Sequence, residues 1–328
     1  MDEQTAILVT GASGIVGYGI LKTLREAPFP LTLFGSSIHP VSVASKFCHT
    51  FIQAPATSNS GYLNWLLETV TNFNIQAIIP GIEADVFFLN KHRQQLADSN
   101  CFPLLNQEKL INLCRDKWLF FEFLQHYNLP CLIPTQKWNG NISSLNHATY
   151  PILFKPREGY AGRGHQLVEN KAGLSSLPPS FVDTYIVQPY IGNKAQEYSV
   201  AVFGDGQGDF FNKLCLKRTL SPMGYTNFGQ FVELNDIDST LKALCTILKP
   251  LGPTNFQFRL HKGEYKLLEV NPRISSSTSM RALLGYNEAV MALNYFLKGH
   301  SPPLPVIKPG YVVRYIEDCV FYEDGSHF

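Results

Sequence analysis

Three side chains in the last quarter of this sequence carry hard oxygen donors at a spacing that could hold a metal ion: Gln257, Glu269 and Asn271. The stretch Asn255-Phe256-Gln257-Phe258-Arg259, a short turn at Lys262-Gly263 and the run Leu267-Leu268-Glu269-Val270-Asn271-Pro272-Arg273 read as a β-hairpin. On a strand, Glu269 and Asn271 point the same way. A loop over 262–264 would set Gln257 directly opposite Glu269. Phe256, Phe258, Leu260, Leu268 and Val270 then share the other face. An oxygen-only cluster beside the cation Arg273 suits magnesium bridging nucleotide phosphates, because Mg²⁺ usually takes one or two carboxylates plus phosphate oxygens. Alone, such a pattern is more often an ordinary amphipathic hairpin. The run Glu-x-Asn-Pro-Arg, where proline stops the strand beside its polar cluster, weighs against that.

Other segments could carry chemistry. Phe154-Lys155-Pro156-Arg157-Glu158-Gly159-Tyr160-Ala161-Gly162-Arg163-Gly164 places a lysine at a strand end before a loop with three glycines. It is not a Walker loop, which needs GK[ST] opening a helix. A glycine flap between two strands can fold over phosphates and donate amides, with Lys155 as a point charge; a mobile hairpin with an incidental lysine fits as well. Gln188, Pro189, Tyr190 and Ile191 form an extended segment whose backbone could pair with an adenine edge. Glu197 follows and could accept from ribose hydroxyls, although a plain linker explains the segment equally. Thr10-Gly11-Ala12-Ser13-Gly14-Ile15-Val16-Gly17 resembles the TGxxGxxG loop of short-chain dehydrogenases and epimerases. Its expected companions are missing. Phe34-Gly35-Ser36-Ser37 offers no acid for a ribose diol, and the Tyr18 to Lys22 pair lies inside the following helix. A tight strand-to-helix turn is the preferred reading.

The elements that must position these residues fall into two patterns. Residues 6–10, 31–34 and 77–80 are apolar strands, and 16–25, 62–73 and 84–98 are helical, with a short strand near Phe102; repeated βα units predict a parallel, doubly wound sheet. Two adjacent helices follow over 107–113 and 116–127. From residue 152 the strands become two-faced and hairpin-like: 152–156, 163–168, 184–188, 196–203, 210–216, 229–234, 254–261 and 264–271. Helices are expected over 239–248 and 280–297, and a last strand over 311–316. That is α/β followed by α+β, with a boundary near residue 113.

Composition sets bounds. The chain has 328 residues, enough for two domains, with 45% hydrophobic and 16% charged residues. A formal charge of +1 argues against a general nucleic-acid binder. No apolar run is long enough for a membrane helix, and the acidic start reads as no signal peptide. The seven scattered cysteines, with no CxxC pair, fit reduced core thiols and a cytoplasmic protein. The nine histidines show no zinc spacing.

Taken in order, Lys117 after Asp116, Lys155, the glycine flap, the extended hinge and the Gln/Glu/Asn cluster resemble the ATP-grasp superfamily, in particular one synthetase half of the carbamoyl phosphate synthetase large subunit and related stand-alone carboxylate–amine ligases. The resemblance implies a Rossmann-like pre-ATP-grasp domain over 1–112, which binds no dinucleotide. An ATP-grasp domain over 113–300 follows, as two α+β subdomains, 113–187 with the flap and 188–300 with the metal site; 301–328 forms a C-terminal strand and tail. It implies ATP and Mg²⁺, as two ions with Mn²⁺ as a substitute. Lys117 and Lys155 would hold phosphates under Gly159, Gly162 and Gly164, and Gln188 to Ile191 would bracket adenine. Glu197 would bind ribose, Gln257, Glu269 and Asn271 would hold metal, and Arg273 would steady the transferred phosphoryl group.

The reaction class implied is phosphorylation of a carboxylate to an acylphosphate, then attack by an amine or similar nucleophile. The partners are small-molecule substrates, with no nucleic acid and no membrane; homo-oligomerisation stays open. The synthetase halves carry another arginine three residues after Asn-Pro-Arg, and here Ser276 stands there, which points away from bicarbonate and towards an organic carboxylate. Arg218, in an expected loop over 217–224, is a candidate anion contact and catalytic residue. Arg281 is read as a carboxylate holder or a surface charge, and Glu83 as an amine contact at a strand end. The competing readings are a non-catalytic nucleotide-binding subunit, a carbamoyl phosphate synthetase-like protein and a nucleotide-sugar reductase or epimerase.

Overall fold

A computed structural model of the chain describes residues 4–159 and 162–323; Met1 to Glu3, Tyr160 and Ala161 of the flap motif, and the tail beyond Glu323 lie outside the described residues. The first sheet has the order β3-β2-β1-β4-β5, with β1 Thr5–Thr10, β2 Leu31–Ser37, β3 Thr50–Gln53, β4 Ala77–Pro80 and β5 Phe102–Pro103, all parallel. Helices α1 Ile15–Leu24, α2 Tyr62–Asn72, α3 Glu83–Lys91 and α4 Arg93–Asp98 accompany it. The strands are apolar at every position because both faces are covered: Ile7 and Val9 pack into one core, Ala6 and Leu8 into another.

The glycine turn after β1 is explained by packing. Gly11 has φ +58°, a Cβ on Gly17 would lie 2.5 Å from the Gly11 carbonyl oxygen, and one on Gly81 would lie 2.4 Å from that of Thr10. The end of β4 and the start of α1 touch through backbone alone. Gly17→Ala is therefore expected to lower stability by about 1–3 kcal/mol, read as a drop in thermal midpoint. An unchanged midpoint would show that the turn tolerates a side chain.

Helices α5 Glu108–Arg115 and α6 Lys117–Leu124 lead into a four-stranded antiparallel sheet, order β6-β9-β7-β8, formed by β6 Gln136–Lys137, β7 Ile152–Pro156, β8 Gln166–Val168 and β9 Tyr185–Pro189. The third sheet has the order β14-β13-β10-β11-β12-β15. Its members are β10 Glu197–Asp205, β11 Phe210–Leu220, β12 Thr226–Phe231, β13 Leu251–His261, β14 Glu264–Asn271 and β15 Tyr311–Val313, with helices α7 Asp238–Leu248, α8 Thr278–Leu283 and α9 Glu288–Lys298. One face of this sheet packs Val200, Val202, Phe256 and Phe258 on Leu241 and Leu244 of α7. Along the other face, Ala201, Phe203, Leu214 and Leu216 pack towards the first sheet, but Glu197, Ser199, Gln257 and Arg259 continue the same rows as polar residues. This switch of character along the strands marks where burial ends and a site begins.

Several boundaries differ from the sequence reading. The expected helix over 84–98 breaks at His92, and that over 280–297 breaks at Gly285, whose φ is +93°. Strands β3 and β6 carried too little apolar pattern to be read. The strand expected over 229–234 runs from Thr226 to Phe231, and β15 is half as long as expected. Four cysteines, Cys101, Cys131, Cys215 and Cys245, are buried. Among the described residues no helix is long and apolar enough to cross a membrane.

Candidate functional site

Strands β13 and β14 place Gln257 opposite Glu269 and Asn255 opposite Asn271. The pairing was expected, but the route differs. The turn has two residues, Lys262 and Gly263, both with positive φ (+52° and +83°), as a tight hairpin turn matched to strand twist requires. That turn alone would slip the register by one residue. A bulge beside Gln257 and Phe258 absorbs the difference, so Phe258 faces Leu267 and Leu268 is the extra residue. Leu267, not Leu268, therefore enters the core.

Asn271 donates its side-chain N–H to Glu269 Oε1 at 2.8 Å, which leaves its own carbonyl oxygen for another partner. Burial pushes the Glu269 carboxyl up, but the Asn271 hydrogen bond and the charges of Lys117, Arg218 and Lys155 outweigh it and hold the group below the usual carboxylate range. Gln257 Oε1 accepts from Arg218 Nη2 at 2.6 Å. Among the described residues no three His, Cys, Asp or Glu side chains cluster as a self-sufficient metal cage. One carboxylate with amide oxygens fits a hard cation that takes its remaining ligands from phosphates.

Arg218 corrects one expectation. Strand β11 runs on to Leu220, so Arg218 lies on a strand and is 4% exposed rather than standing in a loop. Its Nη2 and Nε donate to Glu197 Oε1 at 2.7 and 3.2 Å. Glu197 Oε2 accepts from Arg259 Nη2 at 2.9 Å, and Arg259 Nη1 donates to the Ile191 carbonyl at 3.1 Å. The carboxylate thus spends about three of its roughly four lone-pair directions on two guanidiniums. Arg259 was missed in the sequence. Its signal was its place two residues after Gln257, on the same strand face.

Across from this sheet, Lys155 on β7 is 7% exposed. Burial, reinforced by Lys117 and Arg259 and opposed by Glu269 and Glu197, pulls its ammonium down to about 8. Lys117 donates to the Gly159 carbonyl at 2.9 Å and so tethers the flap. Asp116 caps α6 by accepting from the Trp118 amide at 2.8 Å and pairs with Arg157 at 2.5 Å, anchoring the root of the same loop. Gly159, Gly162 and Gly164 all have positive φ (+128°, +70° and +74°), which explains the glycines. His165, unflagged in the sequence, follows the flap with its side chain still exposed, and partial desolvation together with the charges of Lys155 and Lys117 pulls it down to about 4. In the hinge, Gln188 donates to Thr135 Oγ1 at 2.7 Å while its own Oε1 is buried without a partner among the described residues, and the Tyr190 amide is spent on the Pro151 carbonyl at 2.9 Å. The Pro189 and Ile191 backbone groups remain the ones facing an adenine edge in the expected scheme.

The lowered value of Lys155 sets a pH dependence. Keeping it charged costs stability below about 8, a cost relieved as pH rises towards the ordinary lysine value of 10.5. Anion binding runs the other way, since it needs the charged form. ADP affinity is expected to weaken about tenfold per pH unit above that point and Lys155→Met to flatten the profile. Calorimetric titration across the range checks this; a flat wild-type profile contradicts it.

Arg273 Nη2 meets Glu83 Oε2 at 3.2 Å, joining the end of the hairpin to the first turn of α3. Arg281 is neither a surface charge nor a free carboxylate holder. It is fully buried, pairs with Glu288 and donates to Ser275 Oγ at 2.9 Å. The break at Gly285 folds α9 back so that Glu288 compensates the buried cation.

Residues 181–319 match a family model described as ATP-grasp in the biosynthetic pathway with Ter operon. The chain carries an ATP-grasp domain. The carbamoyl phosphate synthase large chain of Methanobrevibacter smithii is 28% identical over 281 residues, covering 79% of this chain and 26% of that one. The chain thus spans about a quarter of the length of these carbamoyl phosphate synthase relatives. In fold it resembles biotin carboxylase from Campylobacter jejuni, solved as a β,γ-ATP complex, with TM-score 0.72, 19% identity and coverage of 92% of this chain and 72% of that chain. N5-carboxyaminoimidazole synthetase from Staphylococcus aureus, complexed with ADP, gives TM-score 0.72 at 16% identity, covering 95% and 82%. The parallel sheet followed by two antiparallel sheets fits the fold of these neighbours.

Proposed function

We propose that the protein is an ATP-dependent ligase that phosphorylates an organic carboxylate to an acylphosphate and joins it to an amine or similar nucleophile. The observation that carries this reading is the Glu269–Asn271–Gln257 cluster, facing the cations Lys155 and Lys117. In this scheme residues 1–112 form the pre-ATP-grasp domain, 113–300 the ATP-grasp domain and 301–328 the C-terminal strand and tail. Lys155 and Lys117 hold the ATP phosphates and the glycine flap covers them. The Pro189 carbonyl and the Ile191 amide bracket adenine, and the remaining lone pair of Glu197 accepts from ribose.

The difficulty of the reaction is electrostatic: a carboxylate must approach a triphosphate, and both are anions. Glu269, Asn271 and Gln257 would hold Mg²⁺, as two ions with Mn²⁺ as a substitute, and the metal would supply charge neutralisation at the phosphates. Lys155 and Arg273 supply fixed positive charge on the two sides of the transferred group. The carboxylate oxygen bonds to the γ-phosphorus as the bond to the β-phosphate oxygen breaks. The amine then attacks the acyl carbon and phosphate leaves. No covalent enzyme nucleophile is needed. Arg218 is fixed by Glu197 and serves to position Gln257 rather than to meet substrate.

ADP release measured against panels of small carboxylates and amines, with mass spectrometry of products, tests the reading. Release that depends on an added carboxylate supports it. Release indifferent to every added acid and amine contradicts it.

A further inference from the structure

The third sheet ends in an open edge. Among the described residues its outermost strand, β15, pairs with β12 alone. The Arg314 amide donates to the Asn227 carbonyl and the Phe231 amide to the Gly310 carbonyl, both at 2.8 Å, so residues 310, 312 and 314 turn their backbone groups inward. By the alternation of an antiparallel ladder, the N–H and C=O groups of Tyr311, Val313 and Tyr315 point out of the edge. An edge of this kind is a template for another strand, and proteins usually blunt it with charge or a cover. Here the same three residues and Ile316 are apolar and 72%, 55%, 73% and 94% exposed. The strand is also held in place. The Arg314 guanidinium donates to the Thr226 carbonyl, the Tyr18 hydroxyl oxygen and the Ser276 carbonyl at 3.2, 3.1 and 2.8 Å.

We infer that this edge pairs with the same edge of a second copy of the chain, antiparallel, about a two-fold axis at Val313. The occupant is a second copy because the segment is complementary to itself under that rotation. Val313 meets its own counterpart, and Tyr311 lies opposite Tyr315 of the other copy on the exposed face, an aromatic cross-strand pair. The three outward-facing residues then exchange about six hydrogen bonds between the strands. Lys308 falls opposite Asp318 of the other copy, twice by symmetry. Both are exposed, and neither forms an ion pair with a described residue. Neighbouring registers lose this fit. An axis at Val312 sets Pro309, which has no N–H, against Tyr315, and an axis at Arg314 sets Tyr311 against Glu317. Both would face Lys308 with an apolar residue, Ile316 or Val320. The pairing joins two third sheets into one and removes both open edges. It stands independently of the ligase reading.

Sedimentation velocity of the full chain tests it, over roughly 1–100 µM because a strand-edge contact is small. A reversible dimer, growing with concentration, is expected. Val313→Pro removes an outward N–H that β12 does not use, so it should leave the circular dichroism and thermal midpoint in place while abolishing the dimer. Lys308→Glu and Asp318→Lys should each weaken the dimer about tenfold, and the two together should recover the wild-type constant to within about threefold. This reversal series decides alone if Val313→Pro does not fold. The inference is overturned if the chain stays monomeric up to about 100 µM or forms only assemblies larger than a dimer. It is equally overturned if a folded Val313→Pro dimerises like the wild type, if either single reversal leaves the dimer intact, or if the double reversal does not restore it.

Discussion

Replacing Glu269 by alanine is expected to lower carboxylate-dependent ADP release by about 10³-fold or more, the largest functional effect in this molecule. Glu269 is the single carboxylate in the cluster of Gln257, Glu269 and Asn271. Its charge is already held below the usual range by Asn271 and three surrounding cations. Losing it removes the ionic ligand and frees Asn271 to rotate, because the 2.8 Å bond that orients it disappears. The fold should survive, since Glu269 is half-buried on the polar face and the apolar face of the hairpin is untouched. Retained circular dichroism and thermal midpoint with lost turnover is the expected pair of readings. Glu269→Asp separates charge from reach, and recovery of part of the rate would show that the charge dominates.

Glu197→Ala is expected to be the most destabilising single change near the site, by about 3–5 kcal/mol. The reason lies in what is left behind. Arg218 and Arg259 would lose their shared counter-charge while 4% and 9% exposed. A buried ion pair is weak evidence of net stability, but removing one partner strands the other in a poor solvent. Two stranded guanidiniums make this case severe. Denaturant unfolding measures it, and a loss under about 1 kcal/mol would mean that water reaches the arginines freely. Glu197→Gln should cost less, because it keeps an acceptor for one of them.

Much of the molecule could be read from its residues. The parallel sheet was legible because its strands are apolar at every position, and the hairpin because Phe256, Phe258 and Val270 alternate with Gln257 and Glu269. Lys155, Glu269 and Asn271 were legible as donors of the right type at strand positions that face one way. What escaped was three-dimensional. The turn at Lys262-Gly263 and the bulge at Leu268 compensate each other, so the right pairing was reached from the wrong loop. Arg218 looked like loop because Thr219, Leu220 and Ser221 carry no clear alternation, yet pairing with β12 extends the strand through it. Arg281 could not be placed without Glu288, which approaches only because the helix breaks between them. Neither the Arg259–Glu197 bond nor the Glu83–Arg273 contact has a local sequence signature, since their members lie far apart in the chain.

Gln257, Glu269 and Asn271 are expected to hold a divalent cation on nucleotide phosphates. Electron paramagnetic resonance of Mn²⁺ titrated into the full chain, with and without ADP, tests it most directly. Tight Mn²⁺ binding is expected only when ADP is present and weakened by at least about tenfold in Glu269→Ala. Mn²⁺ binding that is equally tight without nucleotide, or unchanged in Glu269→Ala, would contradict it.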